Sequence, residues 1–224
     1  MDVVEKHKRD TRGRLQDAVR TDPVTDADRK LYAMAAQEVG GLPVPHMFNS
    51  SDPRSRLYIA NFDGTGNDLW ADPEHATNVG KLHLQLRHAG SVDRRLHADY
   101  IKGAGTQEGI VARTVDGATG VSFNERIDWM YLKFCERANQ WLKADPNADI
   151  RLMATGFSRG AEQAAAFLRK VQEMGIQNPD GREVIHQTFG PDIVKWNLAP
   201  LRAPGRIVMG EILFDPVGTG VPNN

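Results

Sequence analysis

A single cysteine, Cys135, stands in a chain of 224 residues. No internal disulfide can form, so nothing ties the fold to an oxidising compartment. Set on an apolar helix face, Cys135 reads as a small buried hydrophobe rather than a nucleophile. Long apolar runs are missing too, since no stretch approaches the ~18–20 residues needed to span a bilayer. The amino terminus, Met1-Asp-Val-Val-Glu-Lys-His-Lys-Arg-Asp10, is charged throughout and has no apolar h-region, which argues against a secretory signal peptide. A chain made in the cytosol is expected, with any export by another route. An excess of one charge is also lacking: 28 Lys and Arg oppose 29 Asp and Glu, for a net charge of −1. With no basic patch interleaved with aromatics, no nucleic-acid partner is expected. Hydrophobic residues at 40% and charged residues at 25% are the proportions of an ordinary globular chain, long enough for one large α/β domain or two small ones.

What is present divides unevenly. Residues 1–55 are polar and hold one helix candidate, capped by Asp26-Ala-Asp28, with Leu31, Met34, Ala35 and Val39 at helical spacing and Gly40-Gly41 as its stop. Pro43, Pro45 and Pro53 mark an extended connector. This region reads as an appendage, and residues 56–224 as the catalytic core. From Arg56 strands alternate with helices. Leu57–Phe62 is a buried strand ending at Asp63-Gly-Thr-Gly66, and Thr77–His88 a helix with Val79, Leu82, Leu86 and His83 inward. Leu96–Ile101 is a second strand, followed by the Gly103-Ala-Gly105-Thr106 loop. Phe123, Ile127, Tyr131, Phe134, Ala138 and Trp141 repeat at helical spacing and predict the longest helix. Trp129 and Trp141 on it are expected in the core. Ile150–Ala154 is a strand, Ala161–Val171 a helix and Ile207–Phe214 the last strand. The alternation predicts a mostly parallel sheet with helices on both faces, whose ligands bind beyond the carboxyl ends of the strands.

The segment carrying the most chemistry is Gly156-Phe157-Ser158-Arg159-Gly160, set between an apolar strand and an alanine-rich helix. This is the G-x-S-x-G nucleophile elbow in the context it needs. The two glycines remove side chains that would collide across a strained turn, and the turn lifts the Ser158 hydroxyl over the end of the sheet. The N–H of Arg159, at the helix start, can face a tetrahedral oxyanion. Serine needs a base, and the base an orienting carboxylate. Asp215, at the end of the last strand and followed by Pro216 and Gly218, is the best orienting acid. Asp63-Gly64-Thr65-Gly66-Asn67-Asp68 can supply a second amide to the oxyanion hole, with Asp63 bonding the loop's amides. A plain turn, or a divalent cation or phosphate held by that loop, are the competing readings. The side chain of Arg159 has two candidate roles, contact with an anionic head group or pairing with a neighbouring carboxylate.

The base is the open position. Of the seven histidines, His7, His46, His75, His83, His88, His97 and His186, only His186 follows Ser158. It sits in a polar, loop-like segment, where the default is a solvated side chain. Two readings stand: the fold lacks its C-terminal His-bearing strand and loop because the histidine lies beyond residue 224, which is favoured, or His186 swings into the site.

Phe62-Asp-Gly-Thr-Gly-Asn67, Thr77-Asn-Val79 with Leu82, Gly103-Ala-Gly-Thr106, Gly117-Ala-Thr-Gly120, Gly156-Phe-Ser-Arg-Gly-Ala161 and Phe214-Asp-Pro-Val-Gly218 occur in this order. Together they resemble the catalytic domain of the type VI secretion phospholipase effectors (Tle1-like), an α/β-hydrolase group, over about residues 56–220. The resemblance implies a Ser-Asp-His lipase or phospholipase acting on membrane glycerophospholipids, often an antibacterial toxin neutralised by an immunity protein. It implies Ser158 as nucleophile, Asp215 as triad acid, Asp63-Gly64-Thr65 as the loop beside the nucleophile, and a histidine beyond the acid. It also implies a protein made in the bacterial cytoplasm and exported into target cells by a specialised secretion system. Neither a metal nor an organic cofactor is expected. The alternative from another class is a non-catalytic hydrolase-fold module that serves as a partner-binding or toxin fragment.

Overall fold

Residues 55–62 bury every side chain except the half-buried Arg56, the mark of a strand covered on both faces. In this computed structural model, which describes residues 23–41, 46–105, 121–186 and 192–217, that run is strand β1 (Ser55–Phe62). Pro43, Pro45, Thr106, Gly117-Ala-Thr-Gly120 and Gly218 lie outside the described residues. The chain divides into two compact units between residues 45 and 46.

The first unit contains helix α1 (Asp26–Gly40). Of the expected capping segment Asp26-Ala-Asp28, Asp28 takes part, with Thr25 as its partner. Asp28 N–H donates to the Thr25 hydroxyl at 3.2 Å while the Thr25 N–H donates back to the Asp28 carboxylate at 2.8 Å, a reciprocal capping box.

In the second unit β1 lies between β2 (Leu96–Ile101) and β3 (Asp149–Phe157), and β6 (Val208–Phe214) flanks β3, giving the order β2-β1-β3-β6 with every pair parallel. The expected α/β, hydrolase-like parallel sheet is therefore present. Parallel neighbours need crossovers, and helices α2 (Asn78–Val92), α3 (Val121–Ala144) and α4 (Arg159–Met174) provide them. Alternation along β1 sorts the two faces. Tyr58 and Phe62 pack on Phe134 of α3 and Phe167 of α4, at ring centroid distances of 5.1 and 5.6 Å. Asn61, pointing the other way, meets His83 of α2 at 3.4 Å. The apolar stripe of α3 is buried as its spacing predicts, with Ile127, Tyr131, Phe134, Ala138 and Trp141 in the core. Cys135 is buried beside them, and burial pushes its thiol up to about 12, which removes it as a nucleophile. Trp129 corrects the expectation of a core residue, for it is 41% exposed.

One element was not foreseen. After α4 the chain forms a separate antiparallel pair, β4 (Arg182–Ile185) and β5 (Ile193–Trp196). Trp196 meets the edge of Tyr131 at 6.1 Å and ties this pair to the core.

Candidate active site

Where β3 passes into α4, the backbone of Ser158 takes φ 54° and ψ −124°, a conformation that side chains rarely adopt. Two close approaches hold it there. A Cβ on Gly156 would stand 2.4 Å from the Gly160 carbonyl oxygen, and one on Gly160 would stand 2.4 Å from that of Phe62. Only glycine fits at either place, so the spacing of the motif is a packing requirement. Ser158 occupies the N-cap position of α4, yet its side chain makes no capping hydrogen bond. A serine there ordinarily spends its hydroxyl on the helix's own amides. Arg159, as the first helical residue, has an N–H that the helix cannot satisfy from within.

Asp215 follows the tip of β6. Phe157 and Phe214 are register partners, so Ser158 and Asp215 are the next residue on each of two adjacent strands. The tips are stitched together: the Ser158 N–H donates to the Phe214 carbonyl at 3.0 Å, and the Val217 N–H donates to the Ser158 carbonyl at 3.3 Å. Asp215 is exposed and has φ 43°. Among the described residues, Ser158 and Asp215 are the only non-glycine residues with positive φ. Backbone strain thus marks the two positions that sequence reasoning selected, and they stand side by side.

The third part of the site follows β1. Asp63, 2% exposed, accepts the Gly64 N–H at 2.8 Å, the Thr77 hydroxyl at 2.8 Å and the Tyr100 hydroxyl at 2.6 Å. Burial, then the bond to Asp63, raises Tyr100 well above the ordinary phenol value, so it stays a donor. Thr77 also caps α2 by accepting the Gly80 N–H at 3.1 Å. Thr77 was legible only as a helix start, and Tyr100 carried no sequence signal for this role. The neighbouring turn locks on through backbone alone: the Gly103 N–H donates to Asn67 O at 2.7 Å, and a Cβ on Gly103 would lie 1.7 Å from Gly64 O. Both oxygens of Asp63 are occupied by protein donors, so it acts as the loop's internal anchor.

Arg159 turns its guanidinium to the Thr65 hydroxyl and so clamps the elbow to the Asp63 loop. Gly64 spends its N–H on Asp63, and the next residue, Thr65, is exposed. The structure brings Ser158, Arg159, Asp215, Asp63, Gly64 and Thr65 to one end of the sheet. His186 is not joined to them by any described hydrogen bond. It follows β4 and pairs through Nδ1 with Asp192 at 2.9 Å, with its side chain 81% exposed. Among the described residues no group of three or more His, Cys, Asp or Glu gathers as a metal site would require. No described helix is long and apolar enough to cross a membrane.

Over residues 56–195, well over half of the chain, the sequence matches the family described as T6SS, Phospholipase effector Tle1-like, catalytic domain. The chain belongs to this family. No curated protein and no solved structure matches it.

Proposed function

We propose that the chain is a serine esterase that cleaves carboxylic ester bonds of membrane phospholipids, the lytic part of an antibacterial effector. The observation that supports this reading is the pairing of Ser158 and Asp215 on adjacent strand tips, each in strained backbone geometry. The Ser158 Oγ attacks the ester carbonyl carbon while an imidazole takes its proton, and Asp215 holds the imidazole's other N–H so that the attacking tautomer persists. The negative charge that builds on the carbonyl oxygen faces the N–H of Arg159 at the start of α4 and the N–H of Thr65. Collapse of the tetrahedral intermediate expels the lysophospholipid alcohol, which takes the proton back from the imidazole. Water then repeats the attack on the acyl-serine and frees the fatty acid. Among the described histidines, His186 follows Ser158 in sequence and is bonded to Asp192 rather than to Ser158 or Asp215. Family membership supports delivery into target cells by a type VI secretion system, and the proposal adds an immunity protein as the neutralising partner.

The test is fatty-acid release from phospholipid vesicles. Ser158→Ala and Asp215→Asn each lower kcat/KM by about 10³-fold or more if they act as one unit, and retention of the wild-type rate in Ser158→Ala overturns the reading. One observation favours the alternative of a non-catalytic hydrolase-fold module: none of the described histidines bonds to Ser158 or Asp215. A wild-type chain with no ester turnover that still binds an immunity protein would support that alternative.

A further inference from the structure

Tryptophan is seldom left in water, yet Trp70 is 55% exposed and Trp129 41%. Both line one groove of about 380 Å³ whose wall includes Ile101, Lys102, Glu125 and Arg126. Trp70 is held in its exposed pose by edge-on contacts to His83 and Tyr100, at 6.1 and 6.2 Å. Each indole carries a cation: the Arg87 guanidinium stands 5.5 Å from the Trp70 ring and the Lys133 ammonium 5.9 Å from the Trp129 ring. Arg87, Lys102 and Lys133 thus flank the two rings, while Arg126 turns inward and its Nε donates to the Gln163 side-chain oxygen at 3.4 Å. Lys102 also reaches Asp68 at 3.2 Å and Lys133 reaches Glu136 at 2.9 Å, while Arg87 makes no ion pair with a described carboxylate.

The groove opens at the carboxyl end of β2, and the turn that follows β2 is locked to the Gly64 loop by the Gly103-to-Asn67 bond. It therefore lies at the end of the sheet that carries Ser158. Indoles settle at the boundary between acyl chains and head groups, and adjacent cations meet the lipid phosphates at that depth.

We propose that Trp70 and Trp129, with Arg87, Lys102 and Lys133 beside them, form the surface by which the chain lies on a phospholipid bilayer. The inference rests on the phospholipid reading of the site and deepens it, for the docked surface presents the Ser158 end of the sheet to its substrate.

The experiment uses the full chain carrying Ser158→Ala, so that lipid is not consumed, and vesicles of phosphatidylethanolamine with phosphatidylglycerol. Co-sedimentation is expected for this chain, and adding Trp70→Ala and Trp129→Ala lowers partitioning by about tenfold or more. Raised salt weakens binding further, as screening of the cations requires. To separate docking from a folding defect, a chain with Trp141→Phe and Trp196→Phe keeps only the two groove indoles. Brominated acyl chains are then expected to quench its emission. The proposal is overturned if the chain does not sediment, if the Trp70 and Trp129 substitutions leave partitioning unchanged, or if the bound chain's emission is unquenched. Failure of the catalytic reading shows separately, as absence of fluorophosphonate labelling in the wild-type chain.

Discussion

Phe157 of β3 and Phe214 of β6 are paired in register, and each is followed by a residue in the left-handed half of conformational space. Parallel strands that end level deliver their next residues to the same point, so Ser158 and Asp215 are 57 residues apart in sequence (215 minus 158) and adjacent in space. The arrangement is held by backbone hydrogen bonds, which do not depend on either side chain.

That independence has a consequence at Ser158. A φ of 54° with ψ of −124° is strained for serine and easy for glycine. Ser158→Gly is expected to abolish ester turnover while stabilising the fold by about 1 kcal/mol. Urea titration alongside an activity assay checks both, and a destabilised variant would mean that the hydroxyl has a structural role.

Gly156→Ala and Gly160→Ala are expected to act the other way. Each new methyl group would press on backbone atoms at 2.4 Å, which cannot rotate aside. A loss of about 1–3 kcal/mol or more should follow for each, with Ser158 displaced and activity lost beyond what stability explains. Thermal melts and kcat/KM of the folded fraction separate the two effects.

Asp63→Asn leaves the shape of the side chain but turns one acceptor oxygen into a donor. Three donors now converge on the carboxylate, from Gly64, Thr77 and Tyr100. At least one must face an amide N–H₂, at a cost of roughly 1.5–3 kcal/mol for a buried hydrogen bond to a charged group. The Gly64-Thr65 loop should loosen, which hydrogen exchange of its amides would report, and turnover should fall although Asp63 touches no substrate.

His83 predicts a pH effect. Burial, assisted by nearby Arg87 and His97 and opposed by Asp99, holds its imidazole at about 4 against an ordinary value of 6.5. The unfolded chain therefore takes up a proton at His83 near pH 6.5, whereas the folded chain resists until about pH 4. The stability associated with neutral His83 is fully present above pH 6.5 and is lost as the pH falls towards 4. Across that window the loss is on the order of 3 kcal/mol. In His83→Asn the fall in unfolding free energy between pH about 7 and about 4 should be shallower by that amount. An unchanged slope would place the acid sensitivity elsewhere.

Much of the fold was legible because its signals are periodic. The continuous apolar run of β1 and the stripe from Phe123 to Trp141 both report burial directly, and the structure buries them. Trp129 was misread by residue type, although its spacing held the answer. Two residues beyond Ile127 it lies about 200° round the helix, away from the stripe. The β4–β5 pair escaped because each strand has only four residues, too short for alternation to show. At the site the elbow was legible since Gly156 and Gly160 are demanded by local sterics. The grip of Tyr100 and Thr77 on Asp63 was not, because it is made by side chains 37 and 14 residues away. No described histidine is bonded to Ser158 or Asp215, and His186, the one that follows Ser158 in sequence, is bonded to Asp192.

The most direct test is reaction of the wild-type chain with a fluorophosphonate, followed by peptide mapping of the modified residue. Covalent labelling at Ser158, lost in Ser158→Ala and slowed in Asp215→Asn, is the predicted result. A properly folded wild-type chain that remains unmodified at Ser158, or that is modified at another serine, would contradict the account.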